Sequence, residues 1–172
     1  MLDHAGMSPW TQLLELGLPS AGITLVTGAP DLPQLRGMVP LGKIGGKGYC
    51  VYYPTLPQAE PLNDWMVERH QAEYGFAPDF FTSGGFAAAV AICTALEKTG
   101  GDTEARTLID TMEGMEFESP TGKRVFRQED HQAMQDLFEV ELTWEEGSDH
   151  CIPKYISVIP SDEITPPITN GR

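Results

Sequence analysis

Few side chains in this sequence have the type and spacing to do chemistry. Asp130 and His131 are adjacent and Ser119 precedes them, which are the residue types of a Ser-His-Asp acyl transfer. That mechanism needs its nucleophile held on a strained turn. No GxSxG elbow surrounds any serine, so the plain reading of His131 is a histidine on a surface turn. Gly42-Lys43-Ile44-Gly45-Gly46-Lys47-Gly48 has the composition of a phosphate cradle. A P-loop requires GxxxxGK, then Ser or Thr, then a helix; here Gly48 and a strand-like run follow, so the stretch reads as a flexible entry into a strand. Glu145-Glu146 and Asp162-Glu163 are paired carboxylates in polar loops, without the apolar pocket that raises a carboxyl pKa for acid catalysis. His4, His70, His131 and His150 show neither HxxxH nor HExxH spacing, and Cys50, Cys93 and Cys151 form no CxxC, so no metal site is expected. The three cysteines read as buried or incidental thiols, with one disulfide as the alternative. No catalytic residue and no cofactor is implied, and the pattern fits a binding protein better than an enzyme.

Composition narrows the partners. The chain has 172 residues, 41% apolar and 21% charged, and a net charge of −14. These are globular proportions, and a chain of this length can bury a core as one domain or as two small lobes. Only 11 residues are basic, and none cluster beyond Lys123-Arg124, so nucleic-acid phosphates and anionic membranes are unsuitable partners. No window holds eighteen apolar residues, and Met1-Leu2-Asp3-His4 does not begin a basic and then apolar leader. The expectation is therefore no membrane span and no secretion address.

The elements that would position any site follow from periodicity. Ser8-Pro9 with Trp10, Leu13, Leu14 and Gly17 predicts a short capped helix. Ile23 to Thr27 predicts a buried strand feeding a loop at Gly28-Ala29-Pro30-Asp31, and Tyr49 to Tyr53 a second extended run. From Leu62 through Trp65, Met66 and Tyr74 the period becomes helical, with Gly75 as the stop. Phe81 to Thr99, starting near Ser83 or Gly84, is apolar on nearly every face and predicts a helix buried on several sides. Asp102 or Thr103 caps a helix carrying Ala105, Leu108, Ile109 and Met112. Pro120-Thr121-Gly122 turns a hairpin whose arms carry Phe117 and Val125–Phe126. Ala133 to Trp144 and Ile152 to Ile159 alternate as strands, and the tail through Pro166-Pro167 is irregular.

The segment FESPTGKRVFRQEDHQ resembles one near the C-terminus of substrate-binding proteins of branched-chain amino-acid ABC transporters, the leucine-binding, type I periplasmic class. GLPSAGITLVTG, the run from GKGYCVYYP through NDWMVERHQAEYGFAPDFF to TALEKTGG, and the terminal IPSDEITPP continue the likeness in order along the chain. The resemblance is to the second half of such a protein. It implies an α/β, three-layer, two-lobe fold truncated at its N-terminus. Residues 1–52 and 134–172 would be second-lobe portions, and 53–133 a first-lobe portion lacking most of its sheet.

The function implied is the substrate-binding component of an ABC importer for branched-chain or related amino acids or small polar solutes. Its partners would be an amino acid or amide-like solute and the importer's membrane permease. A module that kept the fold but binds protein instead of solute is the alternative. Thr27 and Gly28 would offer a hydroxyl and an N–H, Asp31 a carboxylate for an ammonium, Phe80 and Phe81 an apolar contact, and Tyr53, beside a crossover, would line the cleft. Location would be periplasmic by resemblance, or cytoplasmic for a fragment without a leader. Helices meant for a sheet encoded elsewhere would strand apolar side chains at about 1.5–3 kcal/mol each. This implies repacking or a homodimer covering the exposed helix faces.

Overall fold

The structure, a computed structural model, describes residues 8–28, 30–56 and 61–169. Two units emerge. One runs through Leu56 and is completed by Phe138–Val158; the other holds the residues up to Leu137 and those from Ile159 on.

In the first unit, helix α1 (Ser8–Glu15) ends before Gly17, which takes a left-handed φ of 70°. Strand β1 (Val26–Gly28) lies parallel to β2 (Gly46–Cys50), with Thr27 opposite Gly48. Helices α2 (Leu32–Gly37) and α3 (Val39–Gly42) connect them. β2 pairs antiparallel with β6 (Leu137–Thr143), Gly48 opposite Val140, and β7 (Ile152–Ile159) completes the order β1-β2-β6-β7. Alternation along β6 sends Phe138, Val140 and Leu142 into a core with Leu25, Leu35, Leu41, Cys50 and Cys151. Glu139 turns the other way and takes a 2.6 Å hydrogen bond from Lys47.

Three expectations change here. The run Ile23–Thr27 is not a buried strand: β1 starts at Val26, sits on the sheet edge, and leaves Ile23 and Val26 half exposed. The second extended run starts earlier, at Gly46. Helices α2 and α3 stand where the sequence showed only loop.

The glycine-rich stretch has a packing explanation. A Cβ on Gly42 would lie 2.5 Å from Cys151 Sγ and 2.8 Å from the Thr143 carbonyl oxygen, and one on Gly46 would lie 3.0 Å from Leu41 Cδ1. Glycine lets α3 and β2 approach their neighbours closely.

The second unit contains α4 (Pro61–Tyr74), α5 (Phe80–Lys98), α6 (Ala105–Met112) and the antiparallel ribbon β3 (Glu116–Phe117), β4 (Arg124–Phe126) and β5 (Ala133–Met134). Gly122, at φ 98°, donates its N–H to Ser119 O and closes the expected hairpin. Helix α5 is capped by Asp79, which accepts from Thr82 N, not by Ser83 or Gly84. It is buried along one stripe only, Ser83, Ala87, Ala91 and Ala95, the last three clustering with Met115 and Phe117. The expectation of burial on several sides fails within this unit: Phe81 and Ile92 are largely exposed. By length and composition α5 could cross a membrane, which a count of consecutive apolar residues overlooked. Its small-residue stripe packs against β3 and α6.

The C-terminal tail is tied to the second unit. From Ile159 on it groups with the second unit, because Arg127 donates to Pro166 O, Asp136 accepts from Ser161 N, and Thr165 bonds Met134 Sδ. A short helix, α7 (Ser161–Ile164), interrupts it.

Candidate functional site

Ser119 is buried and donates its hydroxyl to Gly122 O at 2.6 Å, so it serves the hairpin turn. Both oxygens of Asp130 are held by Arg127, whose guanidinium depresses the carboxyl pKa. His131 takes a left-handed φ of 61° and bonds Glu113 Oε1 through Nε2 at 3.0 Å. Asp130 therefore does not orient His131, and the three groups form no relay. His131 and Glu113 instead edge an apolar hollow of about 130 Å³ with Ile109, Met112 and Phe126. Among the described residues no cluster of His, Cys, Asp and Glu could hold a metal ion. The cysteines are free thiols; Cys50 is pushed up to about 12 by burial, and burial raises Cys151 as well.

Four of the six candidate binding residues come together in the first unit. In open α/β sheets, ligands bind beyond the carboxyl ends of parallel strands. β1 and β2 run parallel, so Gly28 and Cys50 mark the same end of the sheet. Thr27 is half buried and donates to Gly28 O at 3.2 Å, and Gly28 is exposed. Asp31 caps α2: its Oδ1 accepts from Gln34 N at 2.8 Å while Gln34 Oε1 accepts from Asp31 N at 3.0 Å. This reciprocal box satisfies two otherwise unpaired N–H groups. Among the described residues the second Asp31 oxygen takes no hydrogen bond.

Tyr53 is only 4% exposed, and its hydroxyl donates to Pro30 O at 2.7 Å. Its ring belongs to the core. Two hollows of this unit, about 310 and 440 Å³, lie elsewhere: the first spans Gly22–Thr24 and Gly45–Lys47 toward the N-terminal ends of the strands, the second runs beside α1 and Pro40.

Phe80 and Phe81 lie in the second unit at the start of α5, ring centroids 4.2 Å apart, with Phe81 66% exposed.

Sequence reasoning missed the helix behind the loop and its anchors. The D-x-x-Q spacing of Asp31 and Gln34 carried the signal for α2. Nothing local announced that Cys151 N would donate to Leu35 O at 2.9 Å, that its Sγ would donate to Met38 O at 2.8 Å, or that Arg36 would pair with Asp149 at 3.0 Å.

A periplasmic binding protein family model matches residues 5–149. No curated protein matches the chain. The crystal structure of an ABC-type branched-chain amino acid transporter from Rhodopseudomonas palustris CGA009 is 38% identical, with a TM-score of 0.86 over 95% of this chain and 43% of that one. A solute-binding protein from Rhodopseudomonas palustris BisB5 in complex with 3,4-dihydroxybenzoic acid is 25% identical, with a TM-score of 0.71 over 88% of this chain and 41% of that one. A leucine-, isoleucine-, valine-, threonine- and alanine-binding protein from Brucella ovis shares the fold at 18% identity and a TM-score of 0.70, covering 91% of this chain and 42% of that one. The chain thus spans less than half the length of these solved relatives.

Proposed function

The chain belongs to the periplasmic binding protein family of ABC-transporter solute-binding proteins, and from that membership we propose that it is the C-terminal portion of such a protein for branched-chain or related amino acids. One observation carries the solute class: 38% identity across 95% of the chain to a branched-chain amino acid transporter. Proteins of this family are binding components rather than enzymes and act in the periplasm. The remaining partner in this reading is the importer's membrane permease.

In this reading the first unit is a second-lobe portion and the second unit a first-lobe portion. Thr27 and Gly28 supply hydrogen bonds to a solute carboxylate, and the second Asp31 oxygen meets its ammonium. A charge-assisted bond of that kind is about twice as strong as a neutral one. Phe81, exposed at the start of α5, is the second unit's candidate for an apolar solute contact. Homodimer formation remains part of the proposal, motivated by exposed Trp65, Phe81 and Ile92; light scattering that shows only monomer would remove it.

A second reading has its own support, because the 25% identical relative was crystallised with 3,4-dihydroxybenzoic acid. An aromatic carboxylate shares the anionic end of an amino acid but has no ammonium for Asp31. Thermal-shift titration with leucine, isoleucine, valine and 3,4-dihydroxybenzoic acid separates the two. A solute at a hundred times its Kd adds about 2.7 kcal/mol to stability. A midpoint rise with the aliphatic amino acids is expected. A rise with the benzoic acid alone transfers the site to the aromatic class, and no rise with any solute favours a protein-binding module.

A further inference from the structure

We propose that Tyr53 is a positioning residue, whose hydroxyl fixes the backbone presenting Asp31 and which does not itself touch solute. The proposal rests on the solute-binding reading of that loop and deepens it. Tyr53 is nearly inaccessible, it belongs to the same buried core as Leu25, Leu35, Leu56 and Phe138, and its hydroxyl donates to Pro30 O at 2.7 Å. Pro30 is fully buried. A buried carbonyl needs a partner, and here a side chain 23 residues further along the chain provides it.

The bond lies where it controls the loop. Pro30 immediately precedes Asp31, whose N–H, side chain and carbonyl are all engaged: with Gln34 Oε1, with Gln34 N, and with Leu35 N at 2.8 Å. At the far end, α2 is tied by Cys151 to Leu35 and Met38 and by Asp149 to Arg36. Those ties fix the helix; the Tyr53 bond fixes the turn that leads into it. Binding groups must be held within about 0.5 Å of their productive positions to act together, so loosening this turn weakens binding without dissolving the core.

The test uses the full chain with Tyr53→Phe, which deletes only the hydroxyl, and Tyr155→Phe as a control on an exposed tyrosine of the same unit. Amide exchange of Asp31 and Gln34 is compared with that of Val140 in β6. Tyr53→Phe is expected to speed the Asp31 and Gln34 amides roughly three- to tenfold, the span of one neutral hydrogen bond, while Val140 and the control stay unchanged. In parallel, calorimetric titration with leucine is expected to show Kd raised by a similar factor. Unchanged loop exchange, or a uniform acceleration that includes Val140, overturns the proposal. So does an unaltered leucine Kd in a variant whose wild type binds leucine. If the wild type binds no solute, the solute-binding reading fails by itself, and the exchange experiment still decides whether Tyr53 holds the loop.

Discussion

Replacing Gly42 with alanine tests the packing argument with opposing terms. In a helix, alanine is favoured over glycine by about 0.8–1 kcal/mol, so propensity alone predicts stabilisation of α3. The environment predicts the reverse. The new Cβ would lie 2.5 Å from Cys151 Sγ, 2.8 Å from Thr143 O and 3.0 Å from the Thr143 carbonyl carbon. Comfortable contact begins near about 3.5 Å, so α3 and β6 must separate by roughly 0.5–1 Å. Thr143 contributes backbone, which cannot rotate away, and Cys151 Sγ is tied to Met38 O. Overpacking of this kind costs about 1–3 kcal/mol against that gain, leaving a net loss of about 0–2 kcal/mol. Gly85→Ala in α5 is the matched control: nothing lies within 4 Å of its Cβ, so it should gain up to about 1 kcal/mol. Urea denaturation followed by circular dichroism measures both. Adding Cys151→Ala should recover part of the Gly42→Ala loss, since it removes the nearest atom but not the Thr143 contact. If Gly42→Ala gains stability as Gly85→Ala does, the close approach of α3 to β6 is refuted.

Three further outcomes are expected. With a thiol reagent at pH 8 the native chain should label at exposed Cys93 and not at Cys50 or Cys151, whose thiols burial pushes upward, whereas all three should label after denaturation; mass mapping checks this. The pKa values of Asp130, Asp149, Glu116 and Glu139 are lowered by hydrogen bonds from Arg127, His150 with Arg36, Lys123 and Lys47 respectively, so their contribution to stability is present above the ordinary carboxylate range near about 4 and disappears as pH falls through the lower folded values. Urea midpoints should therefore hold between pH 7 and 5 and drop below about pH 4, and by less in Asp130→Asn. Asp31→Asn keeps a good helix cap while removing the charge, so stability should stay within about 0.5 kcal/mol while leucine affinity falls; Asp31→Ala should lose about 1 kcal/mol as well. Calorimetry with denaturation on both variants separates the capping role from the binding role.

What the sequence made legible depended on how local the cause was. Helix α4 and strand β7 declared themselves by periodicity, and Pro120-Thr121-Gly122 by turn chemistry. Helix α2 was missed because the loop reading of Gly28-Ala29-Pro30-Asp31 took no account of the Asp31–Gln34 capping spacing, the only local signal of a helix six residues long. The burial of α5 was misjudged because composition states what a helix could cover, not which surfaces the rest of the chain supplies. At the candidate site, the residue types at Thr27 and Asp31 were readable. The roles of Tyr53 and Cys151 were not, since their partners, Pro30 and Met38, lie 23 and 113 residues away.

The four-stranded sheet is drawn from two distant stretches of sequence, with the second unit's helices and hairpin encoded between them. Gly48 must wait for Val140 before β2 has a neighbour on that side. At ribosomal speeds of about 5–20 residues per second, the delay is roughly 5–20 s. During it the edge of β2 stands open on a nascent polypeptide, and the helices at 61–112 can collapse before the sheet closes. Maturation of the first unit is thus gated by translation of the strands that finish it, and agents that slow elongation between β2 and β6 should raise the yield of aggregated product.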